Sequence, residues 1–192
     1  MKHLRLFESF KEANLNVDQI FYTGKNIELS NFTLDHLSRN NNDEHGPGIY
    51  LTNDQKDAKG YGNFIHVIKL KPIGEIIKRG DKVKPIDTAL AKNMIRKFST
   101  EWEMEAQNWH ENPSRGLDEF IASTIKSAID RIDFYEYVWS GFFLDEPKKF
   151  AEGMVANGID AIILAGYNTL DGITHVVVYN TDIMDIQDVI KL

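Results

Sequence analysis

The order of hydrophobic periodicities along the chain restricts its fold more than any other feature of the sequence. Segments rich in β-branched and aromatic residues, which are typical of strands, lie at residues 19–23, 49–52, 64–70, 159–164 and 174–179. Between them, apolar residues recur at helical spacing over residues 85–98, 117–139 and 147–157. Strands, then helices, then strands is the order of an α+β domain rather than of a βαβ repeat.

The length of 192 residues suits one ordinary domain, and 42% hydrophobic residues are enough to build a core. We therefore predict a single domain over residues 1–192, with a helical insertion at 81–157. Residues 1–18 are predicted to form an amphipathic N-terminal helix or a leader. Residues 25–47 are polar, which is typical of a functional loop or of loosely packed helices, and the clearest turn cluster of the chain lies at residues 40–48.

Composition excludes several classes of function. The chain has no cysteine, which rules out disulfides, thiolate metal sites and cysteine nucleophiles and suits a reducing compartment such as the cytoplasm. A net charge of −7 argues against broad contact with nucleic acid or membrane, and no apolar run is long enough to span a bilayer. The spacing of His36 and His45 matches no metal site, and Gly60-Tyr61-Gly62 lacks the context of a dinucleotide fingerprint, so we predict no metal.

Three groups of residues, each at or beside a predicted strand, follow one another along the chain. The first is Phe21-Tyr22-Thr23-Gly24, at the end of the first predicted strand. The second is Gly46-Pro47-Gly48-Ile49-Tyr50-Leu51-Thr52, followed by Ala58 and by Tyr61-Gly62. The third combines Gly158-Ile159-Asp160-Ala161-Ile162 with Thr174-His175-Val176-Val177-Val178-Tyr179-Asn180.

In this order and spacing, the three groups resemble the ADP-ribosyltransferases, particularly the compact type of bacterial toxins and phage proteins. The resemblance extends over residues 21–180 and implies a split β core that binds NAD as substrate. It places Thr23, Tyr50 and His175 at the positions of the family's His-Tyr-Glu triad, with Thr174 as the alternative at the third position.

The resemblance also implies an NAD-binding role for Thr23, Gly24, Gly48, Tyr50 and Tyr61. A glycine turn allows backbone to approach a ligand closely, and two tyrosine rings can clamp a flat, cationic nicotinamide. The alternative is that both tyrosines are ordinary half-buried residues of a strand and a helix.

Only Tyr50 matches the family's usual triad. Thr23 offers a hydroxyl on a shorter side chain, and neutral His175 accepts a hydrogen bond but supplies no negative charge to a cationic transition state. Acidic or basic side chains that offer substitutes, if they reach the cleft, are Glu44, His45, Glu101, Glu103, Glu105 and Asp171.

Three functions remain open. The first is an NAD-dependent mono-ADP-ribosyltransferase with weak or altered activity toward an unknown protein or nucleic-acid target. The second is a catalytically inactive NAD- or ADP-ribose-binding module, and the third is a packaged structural phage protein. Leu6-Phe7-Glu8 resembles the cleavage site of phage capsid-targeting leaders, which would imply packaging in the virion and action in a host cytoplasm. A match of three residues is common by chance, and a plain amphipathic first helix is the favoured explanation.

Overall fold

The computed structural model describes residues 19–36, 46–100, 102, 113–164 and 173–192. The described ranges contain seven strands and five α-helices, which confirms the mixed α+β class. In chain order these are β1 (Ile20–Lys25), β2 (Ile49–Thr52), α1 (Gln55–Ala58), β3 (Phe64–Leu70), β4 (Glu75–Lys78), α2 (Pro85–Phe98), α3 (Pro113–Ser127), α4 (Arg131–Phe142), α5 (Pro147–Ala156), β5 (Ile159–Ile163), β6 (His175–Val178) and β7 (Met184–Lys191). The predicted N-terminal helix or leader at residues 1–18 lies outside the described residues.

All seven of these strands belong to one sheet, in the order β4-β5-β6-β2-β1-β3-β7. β4 and β5 run parallel, and each of the other neighbouring pairs is antiparallel. β6, β2 and β1 are consecutive in the sheet although β2 and β6 are far apart in sequence. The strands that carry the three sequence groups therefore lie side by side.

The helical segment connects the two parallel strands. Parallel neighbours require a crossover connection, and the helices α2 to α5 supply it between β4 and β5. The predicted insertion at 81–157 is thus the crossover that covers the sheet. Two strands, β4 and β7, are not among the predicted ones. The two apolar residues of β4 are adjacent and lie between charged residues, so they do not alternate. In β7 a register irregularity opposite Val67 and Ile68 leaves Gln187 as an extra residue that interrupts the alternation.

The single helix expected over residues 117–139 is wrong, because the chain breaks between α3 and α4. Asp130 caps α4 by accepting a hydrogen bond from the Asp133 amide at 3.0 Å. The same carboxylate accepts a hydrogen bond from the Gly80 amide at 2.8 Å and pairs with Arg79 at 3.2 Å. These long-range contacts hold the break in place, and helical periodicity alone does not reveal them.

The core forms where the crossover helices pack on the sheet. The ring of Phe150 in α5 packs edge to face against the rings of Phe143 and of Tyr179, which lies just after β6. The distances between ring centroids are 5.6 Å and 5.9 Å, respectively. Gly153 lets α5 approach α2, because a β-carbon there would overlap Met94. No helix within the described ranges is both long enough and apolar enough to cross a bilayer.

Candidate functional site

Tyr50 and His175 lie on the same face of the sheet. Thr52 of β2 pairs directly with His175 of β6, and Tyr50, two residues before Thr52, pairs with Val177. Paired residues and residues two apart on a strand share a face, so Tyr50 and His175 are diagonal neighbours. Such neighbours are about 7–8 Å apart, which is close enough to meet one small ligand.

Thr23 lies on the opposite face. Its neighbour Tyr22 pairs with Thr52, so Tyr22 shares the face of His175 and Thr23 points away from it. Thr23 itself pairs with His66 of β3, and both side chains are buried. The structure therefore brings two of the three predicted triad positions together and leaves the Thr23 hydroxyl on the other side of the sheet.

Half-buried Tyr22 takes the place that the sequence prediction assigns to Thr23 on this face. The row Tyr22–Thr52–His175 runs straight across β1, β2 and β6. Thr52 is buried and accepts a hydrogen bond from the Asp54 amide at 3.1 Å, so its role is to shape the start of α1. Tyr22 thus joins Tyr50 on this face, and the sequence prediction assigns it no role.

The predicted ligand-binding glycines have packing roles in this structure. A β-carbon at Gly24 would overlap the backbone carbonyl oxygen of Ala58, and one at Gly48 would overlap the side chain of Val177. Gly48 has no positive φ, whereas Gly46, with φ of 84°, does. These glycines bring α1 against β1 and the turn before β2 against β6, and so build the walls of the site.

Tyr50 and Tyr61 differ in their freedom to meet a ligand. Tyr50 is half-buried against the core, and its hydroxyl donates a hydrogen bond to the carbonyl oxygen of Gly46 at 2.7 Å. Tyr61 ends the 3-10 helix Lys59–Tyr61, whose backbone packs over Gly24, and its side chain is 69% exposed. One ring is thus fixed on the sheet, and the other projects into solvent from the segment above it.

The site contains a carboxylate that the sequence prediction missed. The Nε2 atom of His175 lies 2.9 Å from Oδ2 of Asp57, which α1 carries back over the sheet. The side chains of His175 and Asp57 are 40% and 29% exposed. Their separation of 118 residues explains why no local signal identifies the pair.

The segment before β6 is tied to the start of α1 by backbone contacts. The Asn53 amide donates to the Thr174 carbonyl at 3.1 Å, and the Thr174 amide donates to the Asn53 side chain at 2.8 Å. Thr174, the alternative third triad position, thus has a positioning role through its backbone.

Buried Asp160, in the third sequence group, has a structural role, because its carboxylate accepts hydrogen bonds from the Ile73 amide and from Asn180, both at 2.7 Å.

The other candidate acids and the candidate histidine lie outside the described residues: Glu44, His45, Glu101, Glu103, Glu105 and Asp171. Among the described residues, no group of three His, Asp or Glu side chains is arranged to hold a metal ion. A depression of about 540 Å³ lies between residues 28–30 and β7, and none of the predicted site residues lines it.

Comparison with protein-family models, with curated proteins and with solved structures finds no match to this chain.

Proposed function

We propose that this chain is an NAD-dependent mono-ADP-ribosyltransferase-like protein with a degenerate triad, and that its single seven-stranded sheet corresponds to the β core of that family. The observation that carries the proposal is the adjacency of β1, β2 and β6, with Tyr50 and His175 on one face. The resemblance requires the strands of the three sequence groups to lie together, and their adjacency in the sheet supports the proposal.

The aromatic side chains on this face support nicotinamide as the group that is bound. Tyr22 and Tyr50 stand on neighbouring strands, and Tyr61 extends from the segment packed over Gly24. The nicotinamide ring of NAD is flat and cationic, and a cationic ring is attracted to the face of a tyrosine. Tyr61 is exposed, so it can close over a ring that rests on Tyr50 without disturbing the core.

The charges on this face favour a slow reaction. Transfer of ADP-ribose breaks the bond between the nicotinamide nitrogen and ribose C1′, and positive charge develops on the ribose. A carboxylate beside that charge stabilises it, whereas His175 in its neutral form does not. Asp57 carries a negative charge and contacts His175, but it does not itself occupy the third triad position. We therefore expect weak NAD hydrolysis.

A catalytically inactive NAD- or ADP-ribose-binding module is the second candidate. The observation that favours it is the histidine at the third triad position, together with the Thr23 side chain on the far face of the sheet. Such a module binds NAD through the same tyrosines and releases no nicotinamide, so a nicotinamide-release assay separates the two candidates.

Calorimetric titration of NAD into the chain and into Tyr50→Ala tests the proposal. Loss of the stacking ring should weaken binding by about 1–3 kcal/mol. Tyr137→Ala is the matched control, because Tyr137 is an exposed tyrosine of α4 that no part of the argument uses. It should bind NAD as the unchanged chain does, and thermal unfolding of both variants checks that they fold.

The results discriminate among the functions. Absence of NAD binding by the unchanged chain would refute the proposal and favour a structural role for the fold. Equal weakening by Tyr50→Ala and Tyr137→Ala would show that Tyr50 is not the stacking surface.

A further inference from the structure

The contact between His175 and Asp57 determines which ring nitrogen of His175 is available. An ionised carboxylate only accepts hydrogen bonds, so Nε2, 2.9 Å from Oδ2 of Asp57, carries the proton in this contact. The neutral ring then has its lone pair on Nδ1. Among the described residues, no group forms a hydrogen bond with Nδ1, and the side chain is 40% exposed. His175 is thereby oriented as a proton acceptor.

We propose that His175 is the general base of the transfer reaction and that Asp57 is its positioning residue, so that the acceptor is a hydroxyl group, water included. This inference rests on the proposed function. As the C1′–N bond of NAD breaks, nicotinamide leaves with the bonding electron pair as a neutral molecule. The acceptor oxygen forms the new bond to C1′, and its proton passes to Nδ1 of His175 and from there to solvent.

Asp57 contributes to this step in two ways. It holds the imidazole in the Nε2–H tautomer and thus keeps Nδ1 free to accept a proton. Its negative charge also stabilises the imidazolium that forms when the proton arrives, as in other carboxylate–histidine pairs. A hydroxyl acceptor benefits from such a base because it must lose its proton on attack.

A purely structural ion pair between α1 and β6 is the alternative reading of the contact. The attachment of α1 does not depend on it: Asp54 caps the helix through the Lys56 amide at 2.8 Å, and Asn53 makes two hydrogen bonds to Thr174. Exposed ion pairs contribute little to stability. Removal of Asp57 should therefore change chemistry without unfolding the site.

The test compares Asp57→Asn with Asp54→Asn. Both variants lose one negative charge from α1, and asparagine caps a helix as well as aspartate does, so Asp54→Asn should keep the activity of the unchanged chain. Asp57→Asn should lower kcat for nicotinamide release by about 10²-fold or more, with KM for NAD within twofold. Asp57→Glu should restore part of the rate. His175→Gln should cause a similar loss, and the double variant should lose no more than the single ones.

A second measurement does not require turnover. Nitrogen NMR of the histidine rings, with the His175 signals assigned by their loss in His175→Gln, should show the Nε2–H tautomer at His175 and a shift toward the other tautomer in Asp57→Asn. The Nδ1–H tautomer at His175, or an unchanged kcat in Asp57→Asn, would overturn the dyad while leaving the NAD site intact. NAD binding without any nicotinamide release would also overturn the base, whereas absence of NAD binding would overturn the proposed function itself.

Discussion

The guanidinium group of Arg131 lies 2.8 Å from the carboxylate of Asp87, and both side chains are almost completely withdrawn from solvent. Arg131 also donates to both carboxylate oxygens of Glu75, at 2.7 and 2.9 Å, and Tyr135 donates to Asp87 at 3.1 Å. These bonds join α4 to α2 and to β4 at the edge of the sheet. The hydrogen bonds from Arg131 and Lys84 lower the pKa of Glu75 to about 2, although partial burial opposes the shift.

Arg131→Met should destabilise the chain strongly, because it leaves the buried carboxylate of Asp87 without its cation. Breaking a buried pair from one side costs about 3–5 kcal/mol, measurable as a fall in the free energy of unfolding in urea. Lys84→Met is the control, since Lys84 pairs with the same Glu75 from an exposed position and should cost about 1 kcal/mol or less. Similar losses in both variants would contradict the structural role of the buried pair.

Gly24→Ala should destabilise the chain by about 1–3 kcal/mol, because the added methyl group overlaps the Ala58 carbonyl oxygen, a backbone atom that cannot rotate away. Gly60→Ala is the matched control: no atom of the described residues lies within 4 Å of its added β-carbon, its φ is not positive, and it should be neutral or stabilising by about 0.4–1 kcal/mol. Thermal unfolding measures both. Tolerance of alanine at Gly24 would show that α1 does not pack against β1 as described.

Stability should decrease as the pH falls below about 6.5, in part because of His66. His66 is fully buried, its Nε2 accepts a hydrogen bond from the Leu29 amide at 2.9 Å, and its ring contacts Phe32. Burial lowers the pKa of His66. Below pH 6.5 the unfolded chain therefore binds a proton that the folded chain does not bind. The free energy of unfolding falls by at most about 1.4 kcal/mol per pH unit as a result.

The measurement for His66 is the free energy of unfolding between pH 7 and pH 5, in the unchanged chain and in His66→Gln. The variant is less stable overall but should have the smaller slope in this range, because it lacks the titrating group. Identical slopes would show that protonation of His66 is not coupled to unfolding.

Thr23→Val should leave NAD affinity within twofold of that of the unchanged chain, since the Thr23 side chain lies on the face opposite to Tyr50 and His175. Valine has nearly the same shape, so the change removes the hydroxyl group alone. A tenfold loss of affinity in calorimetric titration would place that hydroxyl in contact with NAD and would contradict the register of β1.

Local sequence signals were sufficient for the elements whose boundaries are local. The predictions for Ile49–Thr52, Phe64–Leu70 and Pro85–Phe98 are confirmed to the residue, because glycine or proline lies within two positions of at least one end of each and their apolar spacing is regular. The strand β7 is not predicted from the sequence because its extra residue breaks the period of two. The helix over 117–139 is predicted as continuous because its interruption depends on contacts of Asp130 with residues about 50 positions away.

The sequence by itself determined the α+β class and the short segments that carry Tyr50, Tyr61 and His175, because hydrophobic period and turn residues act over a few positions. Only the tertiary structure decided which side chains share a face. The pairing of β1 with β3 turned Thr23 toward buried His66, and the return of α1 over the sheet brought Asp57 to His175. Strand register and helix packing depend on contacts between residues far apart in the chain, and no local pattern specifies them.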